Sequence, residues 1–302
     1  MRFHLCIGAL GLATGACSAS PPQSVLPNAQ AAIDRMRATT ACGNAVQAEA
    51  KIDHFGKGER IRTSLMLIAA RPARVRLDVI EFSNTLATLT SDGSTFALSD
   101  LREKRFLTGP ASACNIARLT QVPVPANVLV DLFRGQPPIL KHNAPSAAIA
   151  WSGKGYYVVT IEGGRDAREE LHIVPRRDDW LRPWNEQRMR LLDVRVWQRG
   201  VLLYQAELEG HEPAPMAPAP AATSVDPEDI ALGITAAVAQ LSGPACDAEV
   251  PRRLHVSVPS LGEDVLFRYD KILWNPLLTA STFSQAAPAA TEQEQVSCDD
   301  DR

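Results

Sequence analysis

Histidine, serine and lysine side chains often carry catalysis, and in this 302-residue sequence none of them stands in a catalytic spacing. Ser152 lacks the Gly-x-Ser-x-Gly pattern of a nucleophile elbow, and Lys57 lacks the upstream glycine and the Ser or Thr of a phosphate-binding loop. The histidines are scattered, without the His-x-x-His or His-Glu-x-x-His spacing that binds zinc: His54, His142, His172, His211 and His255. We therefore predict a protein that is not an enzyme and holds no metal or cofactor.

Four cysteines are candidates for structural disulfides. They form an even set in which no two are close in sequence, which disfavours a metal site: Cys42, Cys114, Cys246 and Cys298. In an exported protein such a set indicates two disulfides, and the spacing leaves all three pairings open. Buried free thiols are the alternative.

The start of the chain has the pattern of an export signal that ends at a cysteine. An apolar run at residues 5–12 is too short to span a bilayer, and the small residues 14–16 stand directly before Cys17. This order resembles the lipobox of bacterial lipoproteins, although Thr14 stands where that family usually has leucine. The alternative is an ordinary secretory signal in which Cys17 is incidental.

The lipobox resemblance implies the location of the protein. Residues 1–16 would be a signal peptide, Cys17 would carry the lipid anchor, and residues 17–24 would be a tether. Because Ser18 and Ala19 follow without an aspartate, the resemblance implies the outer membrane, with the folded part facing the periplasm.

Composition is that of an ordinary folded domain. Hydrophobic residues make up 45% of the chain and charged residues 22%, and the net charge is −3. That charge argues against a nucleic-acid partner, which would require a basic face. We predict one domain over residues 25–285, with an Ala/Pro-rich insertion at about 211–223 and an acidic tail over 286–302.

The clearest structural pattern is a series of amphipathic strands. From Ala73 to Ile80 apolar and charged residues alternate, which places the apolar set on one face of a strand. Asp92-Gly93 separates two further strands as a hairpin turn. Consecutive strands of this kind favour an antiparallel meander with one apolar face. An amphipathic helix follows Pro125 and ends at Gly135.

These segments resemble the LolA and LolB family, the periplasmic carrier and outer-membrane receptor of lipoproteins. The Asp92-Gly93 hairpin with Phe96, Leu98 and Asp100 resembles LolA, and the segment VPVPANVLVDLFRGQPP at residues 122–138 resembles LolB. The resemblance implies a mainly β (α+β) fold, a curved antiparallel half-barrel with helices in its mouth. It also implies an apolar cavity that takes acyl chains of lipoproteins or lipids, and exchange with a periplasmic carrier or envelope complex.

Nine apolar side chains of these segments are the candidate cavity lining: Val75, Leu77, Val79, Leu86, Phe96, Leu98, Leu129, Leu132 and Phe133. Alternation alone predicts equally that they fill an ordinary core. Phe82 matches the position at which LolB-like proteins project a hydrophobic residue that passes acyl chains to the membrane. The alternative is that Phe82 folds back and closes the barrel end.

Two other functions are consistent with the sequence. A filled barrel would make the protein a non-enzymatic envelope scaffold that displays a surface. Asp178-Asp179 beside Trp180 and Trp184 could instead bind a sugar, a peptide or a cation, although a solvated turn fits the same residues.

Overall fold

The computed structural model describes residues 19–56, 58–218 and 239–298. The predicted signal peptide, Cys17 and the second part of the Ala/Pro-rich insertion, 219–223, lie outside the described residues. Within the predicted domain, residue 57 and residues 224–238 also lie outside the described residues.

Alternating apolar residues form the first half of one large sheet, as predicted. Its strands run in chain order: β1 (Ala45–Gly56), β2 (Glu59–Ala70), β3 (Arg74–Glu81), β4 (Asn84–Ser91), β5 (Thr95–Asp100) and β6 (Arg105–Pro110). Each pairs antiparallel with the next through a short turn. The side chains at alternate positions of β2 and β3, such as Leu67 and Leu77, are buried together in the core.

The second half of the chain extends the same sheet and adds four short strands. The strands of this half are β7 (Ala147–Trp151), β8 (Tyr157–Glu162), β9 (Ala167–Pro175), β10 (Met189–Gln198), β11 (Val201–Glu209), β12 (Glu212–Pro213), β13 (Gln240–Leu241), β14 (Glu249–Val250), β15 (Arg253–Val258), β16 (Glu263–Trp274), β17 (Leu277–Leu278) and β18 (Glu292–Gln295). Strands β12 and β14 pair with each other, as do β13 and β17.

The fourteen-stranded sheet has the order β18-β6-β5-β4-β3-β2-β1-β16-β15-β11-β10-β9-β8-β7. It is curved and unclosed, and its strands are antiparallel except for the pair of β18 with β6. The predicted half-barrel architecture is therefore confirmed.

Three α-helices of the described part of the chain pack against the apolar face of the sheet: α1 (Ala29–Thr39), α2 (Ala113–Thr120) and α3 (Ala126–Phe133). Helix α3 contacts β2 and β3, whereas α1 contacts β7, β8 and β10. Asn28 caps α1 by accepting a hydrogen bond from the Ala31 amide at 2.8 Å. Gly135 ends α3 at φ +75°, a conformation that suits glycine because it has no Cβ.

Two disulfides are present, as predicted, and the structure selects one of the three pairings. Cys42, after α1, is bonded to Cys246, and Cys114 of α2 is bonded to Cys298. The second bond fixes a helix of the first half to the end of the described chain.

Parts of the predicted tether, 17–24, and of the predicted tail, 286–302, are bound to the folded domain. Residues 292–295 of the tail form β18, which pairs parallel to β6, and Cys298 lies in a disulfide. Strand β18 forms because its backbone pairs with the edge of the sheet. Its sequence, Glu-Gln-Glu-Gln, has no apolar alternation that would predict a strand. Residues 19–24 of the tether lie against the fold, held by the hydrogen bonds described below.

Candidate functional site

The predicted cavity-lining residues separate into two groups. Seven lie in the packed core and are at most 7% exposed: Val75, Leu77, Phe96, Leu98, Leu129, Leu132 and Phe133. Helix α3 is inserted deeply enough for the Phe133 ring to meet the Phe267 ring edge-on, with centroids 5.1 Å apart. Val79 and Leu86 are only partly buried, and both line an open pocket.

This pocket, here called the mouth, has a volume of about 370 Å³ and lies between the ends of β1–β5 and the end of α2. That volume is within the range of small-ligand pockets. Its apolar wall is made by side chains from four strands and one helix: Ile52, Ile61, Val79, Leu86, Ala87 and Leu119. The mouth can therefore accept an apolar chain end.

Leu86 reaches the mouth because of a β-bulge. Val79 pairs with Ala87 and Ile80 pairs with Thr85, so Leu86 is an extra residue without a partner on β3. A bulge of this kind re-aims a side chain and is common at the rim of a curved sheet. The sequence did not predict the bulge, and regular alternation alone would place Leu86 with Thr88 and Thr90, on the face of β4 opposite the core residues Ala87 and Leu89.

The rim of the mouth is polar, and Arg102 pairs with Glu81 there. Arg62 donates to Asp53 at 2.8 Å on the other face of β1 and β2, because the Asp53–Arg62 pair lies between the mouth-lining pairs Ile52–Thr63 and His54–Ile61. Asp53 is almost fully buried, and hydrogen bonds from Arg60 and Arg62 hold the pKa of its carboxyl well below the usual range. The ion pair of Arg102 therefore stands at the edge of the mouth, and the Asp53 cluster joins β1 to β2 behind it.

Phe82 stands beside the mouth at the tip of the β3–β4 hairpin and is 91% exposed. Phe82 and Ser83 form the two-residue turn with φ of 47° and 67°, the positive values that a type I′ turn requires. Bulky residues rarely adopt this conformation, and Asn or Gly is preferred there. The ring gains no burial that would offset the strain, so its position points to a role outside folding.

Two more exposed hydrophobic side chains lie near Phe82. Ile61, at the start of β2, is 49% exposed, and Leu101, in the turn after β5, is 45% exposed. Strands β2 to β5 are consecutive neighbours spaced about 5 Å apart, so the three side chains form one row along the mouth. Nothing in the sequence marks Leu101 as a site residue, whereas Ile61 continues the apolar alternation of β2 and could have been predicted from it.

Helix α2, the wall of the mouth, is fastened at its start. Its Cys114 is bonded to Cys298, and the Asn115 side chain donates to the Pro110 carbonyl at 2.9 Å. Leu119 at the other end of α2 faces the mouth. The first turn of α2 is therefore fixed at the edge of the sheet, and its last turn lies at the mouth.

Charged side chains also lie inside the fold, away from the mouth. Glu169 of β9 is fully buried among the apolar residues, and one of its oxygens accepts a hydrogen bond from the Leu140 amide at 2.9 Å. Burial raises the pKa of Glu169 to about 8. The buried Arg134 donates to the Gly43 carbonyl and pairs with Asp131 at 3.1 Å, which ties the end of α3 to the start of β1. These groups hold elements together, and none lies beside a second group positioned for catalysis.

The Asp178-Asp179 turn is organised around a buried carboxylate. Asp179 is fully buried and accepts hydrogen bonds from the backbone and guanidinium of Arg188 at 2.8 Å. Trp180 beside it packs edge-on against Trp151, with ring centroids 5.8 Å apart. Asp179 thus holds the loop between β9 and β10 in shape.

Within the described residues, no group of three or more His, Cys, Asp or Glu side chains is arranged to hold a metal ion. In the same part of the chain, no helix combines the length and the apolar character needed to cross a membrane.

No family model and no curated protein matches this sequence, but solved structures resemble its fold. A DUF1329 family protein from Desulfovibrio piger superposes with a TM-score of 0.50 at 9% identity, over 88% of this chain and 98% of that chain. What the two share is the fold. A LolA superfamily protein from Nitrosomonas europaea has a TM-score of 0.47 at 12% identity, over 86% of this chain and 99% of its own.

A putative outer membrane lipoprotein-sorting protein domain from Vibrio parahaemolyticus has a TM-score of 0.45 at 10% identity, over 85% of this chain and 96% of its own. The half-barrel that the sequence resemblance to LolA and LolB implies is the architecture of this chain.

Proposed function

We propose that this chain is an envelope lipoprotein that binds acyl chains of lipids or lipoproteins at the mouth and passes them on past Phe82. The observation that carries the proposal is a pocket of about 370 Å³ with an apolar wall, beside a fully projecting aromatic ring. Each buried methylene of an acyl chain contributes about 0.8 kcal/mol, so binding needs apolar surface and no charged clamp. In this proposal Cys17 carries the anchor, and the folded part faces the periplasm from the outer membrane.

The geometry of the mouth supports this use. Val79 and Leu86 offer apolar surface that the packed core leaves uncovered, and the cation of Arg102 stands at the rim, where a polar head would remain in water. The row of Ile61, Phe82 and Leu101 provides an apolar path from the mouth to a second hydrophobic surface.

A filled envelope scaffold is the second candidate function. It is favoured by the burial of seven of the nine predicted lining residues in the core. In that case the exposed row would bind a protein partner, and the mouth would remain without a ligand.

Substitution of Phe82 tests the transfer step. Phe82→Asn should raise stability by about 1 kcal/mol, because asparagine suits the positive φ of this turn and little burial is lost. The same change should reduce the rate at which bound fluorescent fatty acid moves to liposomes. Thermal unfolding and a stopped-flow transfer assay measure the two effects.

Phe82→Leu is the matched control, because leucine keeps an apolar side chain on the same turn. We expect it to retain most of the transfer rate. Transfer by Phe82→Asn at the parental rate would show that the ring has no part in delivery.

A further inference from the structure

The chain runs toward Cys17 from a defined place on the fold. The Ala19 amide donates to the Gly153 carbonyl at 2.9 Å, and the Trp151 indole donates to the Ala19 carbonyl at 2.8 Å. Further along, the Ser24 hydroxyl accepts from the Trp184 amide at 2.9 Å. Residues 19–24 are therefore docked beside the turn that joins β7 to β8.

An aromatic and apolar surface surrounds this place. We call it the anchor-side surface, and it consists of Trp151, Lys154, Trp180, Leu181 and Trp184. The three indoles are half-buried, Lys154 is exposed, and Leu181 is 78% exposed. Tryptophan with a lysine and an exposed leucine is the composition that proteins place at a membrane–water interface.

The loop that presents Leu181 is rigid. It is held from beneath by buried Asp179, which accepts hydrogen bonds from Arg188 on one side and pairs with Arg182 at 3.2 Å on the other. The hydrogen bonds and the ion pair of Asp179 therefore hold the loop in a conformation that exposes the Leu181 side chain.

We propose that the anchor-side surface rests on the phospholipid interface of the membrane that holds the protein. This inference rests on the acylation of Cys17 in the proposed function. Cys17 precedes Ala19 by two residues, which span at most about 7 Å, so an acylated Cys17 would bring the bilayer to the surface around Trp151. An indole and a leucine side chain are then within reach of the headgroup region.

Charge contributes little to this contact. The exposed Lys154, Arg177 and Arg182 lie in the same region as the exposed Asp178 and Glu186. The excess is one positive charge, so the surface should bind mainly through its apolar and aromatic side chains and depend weakly on salt.

The contact fixes the orientation of the mouth. The pairing of Trp151 with Tyr157 and of Met189 with Pro175 places the anchor-side surface at one row of strand ends. The turn at residues 82–83 belongs to the opposite row, together with the turns at 199–200 and 259–262. With the anchor-side surface on the membrane, the mouth and Phe82 are turned away from the anchoring bilayer and exchange acyl chains with a second surface on the periplasmic side.

Quenching of tryptophan fluorescence by brominated lipids tests the contact. The full-length acylated protein is reconstituted into phosphatidylethanolamine–phosphatidylglycerol vesicles whose acyl chains carry bromine, and flotation is recorded in parallel. We expect strong quenching from the indoles of the anchor-side surface, since Trp274 is fully buried and Trp197 lies toward the opposite row. Leu181→Glu should reduce the quenching by more than half while the anchor keeps the protein on the vesicles.

Leu261→Glu is the matched control, because Leu261 is 55% exposed in a turn of the opposite row. It should leave the quenching unchanged. Flotation without quenching, or equal quenching in the two variants, would overturn the membrane contact and leave the anchor intact. Loss of flotation with an unmodified Cys17 would overturn the anchor, and the contact with it.

Discussion

Leu132→Glu is expected to remove several kcal/mol from the free energy of unfolding. Leu132 is fully buried on α3, inside the half-barrel, among the side chains of β2 and β3. Removing a buried leucine alone costs about 2–5 kcal/mol, and a carboxylate without a partner in the same place adds its own desolvation penalty. Denaturant unfolding followed by circular dichroism measures the loss.

Leu86→Glu is the comparison, because it places the same charge in the mouth. Leu86 is partly exposed and opens on solvent through the pocket, so the carboxylate keeps water. We expect its stability to change by no more than about 1 kcal/mol. Equal destabilisation by the two variants would mean that the mouth is part of the packed core.

Glu169→Gln is expected to raise the free energy of unfolding above that of the parent at alkaline pH. Near pH 5 the two proteins should have nearly the same stability. Burial raises the pKa of Glu169 to about 8 in the folded protein, whereas in the unfolded chain its pKa is near the ordinary value of 4.5. Between these values the folded state holds a proton that the unfolded state has released, so the contribution to stability falls as pH rises. A shift of this size corresponds to several kcal/mol, which glutamine avoids because it carries no charge.

The measurement is the free energy of unfolding of parent and variant across this pH window. The difference between them should grow from about pH 5 to about pH 8 and then stay constant, because other titrating groups are common to both proteins. A constant offset at every pH would show that Glu169 is ionised in the folded protein.

Local alternation was enough to predict the large strands and the helix after Pro125. The apolar residues of β3 recur at every second position, so only one face of the strand can point into the core. Gly135 marks the end of α3. Strand β18 could not be predicted, because its partner β6 is remote in sequence and its own residues are polar. Pairing of an edge strand is a backbone property that side-chain patterns do not encode.

The site was predicted less completely than the fold. Alternation tells which side chains point inward, but the depth of α3 decides whether the space between them is filled. Phe133 and Leu129 therefore became core, whereas the bulge turned Leu86 toward the mouth. Glu169 alternates with Leu171 and Ile173, a pattern that could have indicated a buried carboxyl.

Saturable binding of a fluorescent fatty acid to the purified protein tests acyl-chain binding at the mouth most directly. The parent should bind at one class of site, and Leu86→Glu should weaken binding by at least about tenfold, or 1.4 kcal/mol. Leu203→Glu, on an exposed side chain of β11 away from the mouth, should bind as the parent does. Absence of binding in the parent, or parental affinity in Leu86→Glu, would contradict acyl-chain binding at the mouth and favour the filled scaffold.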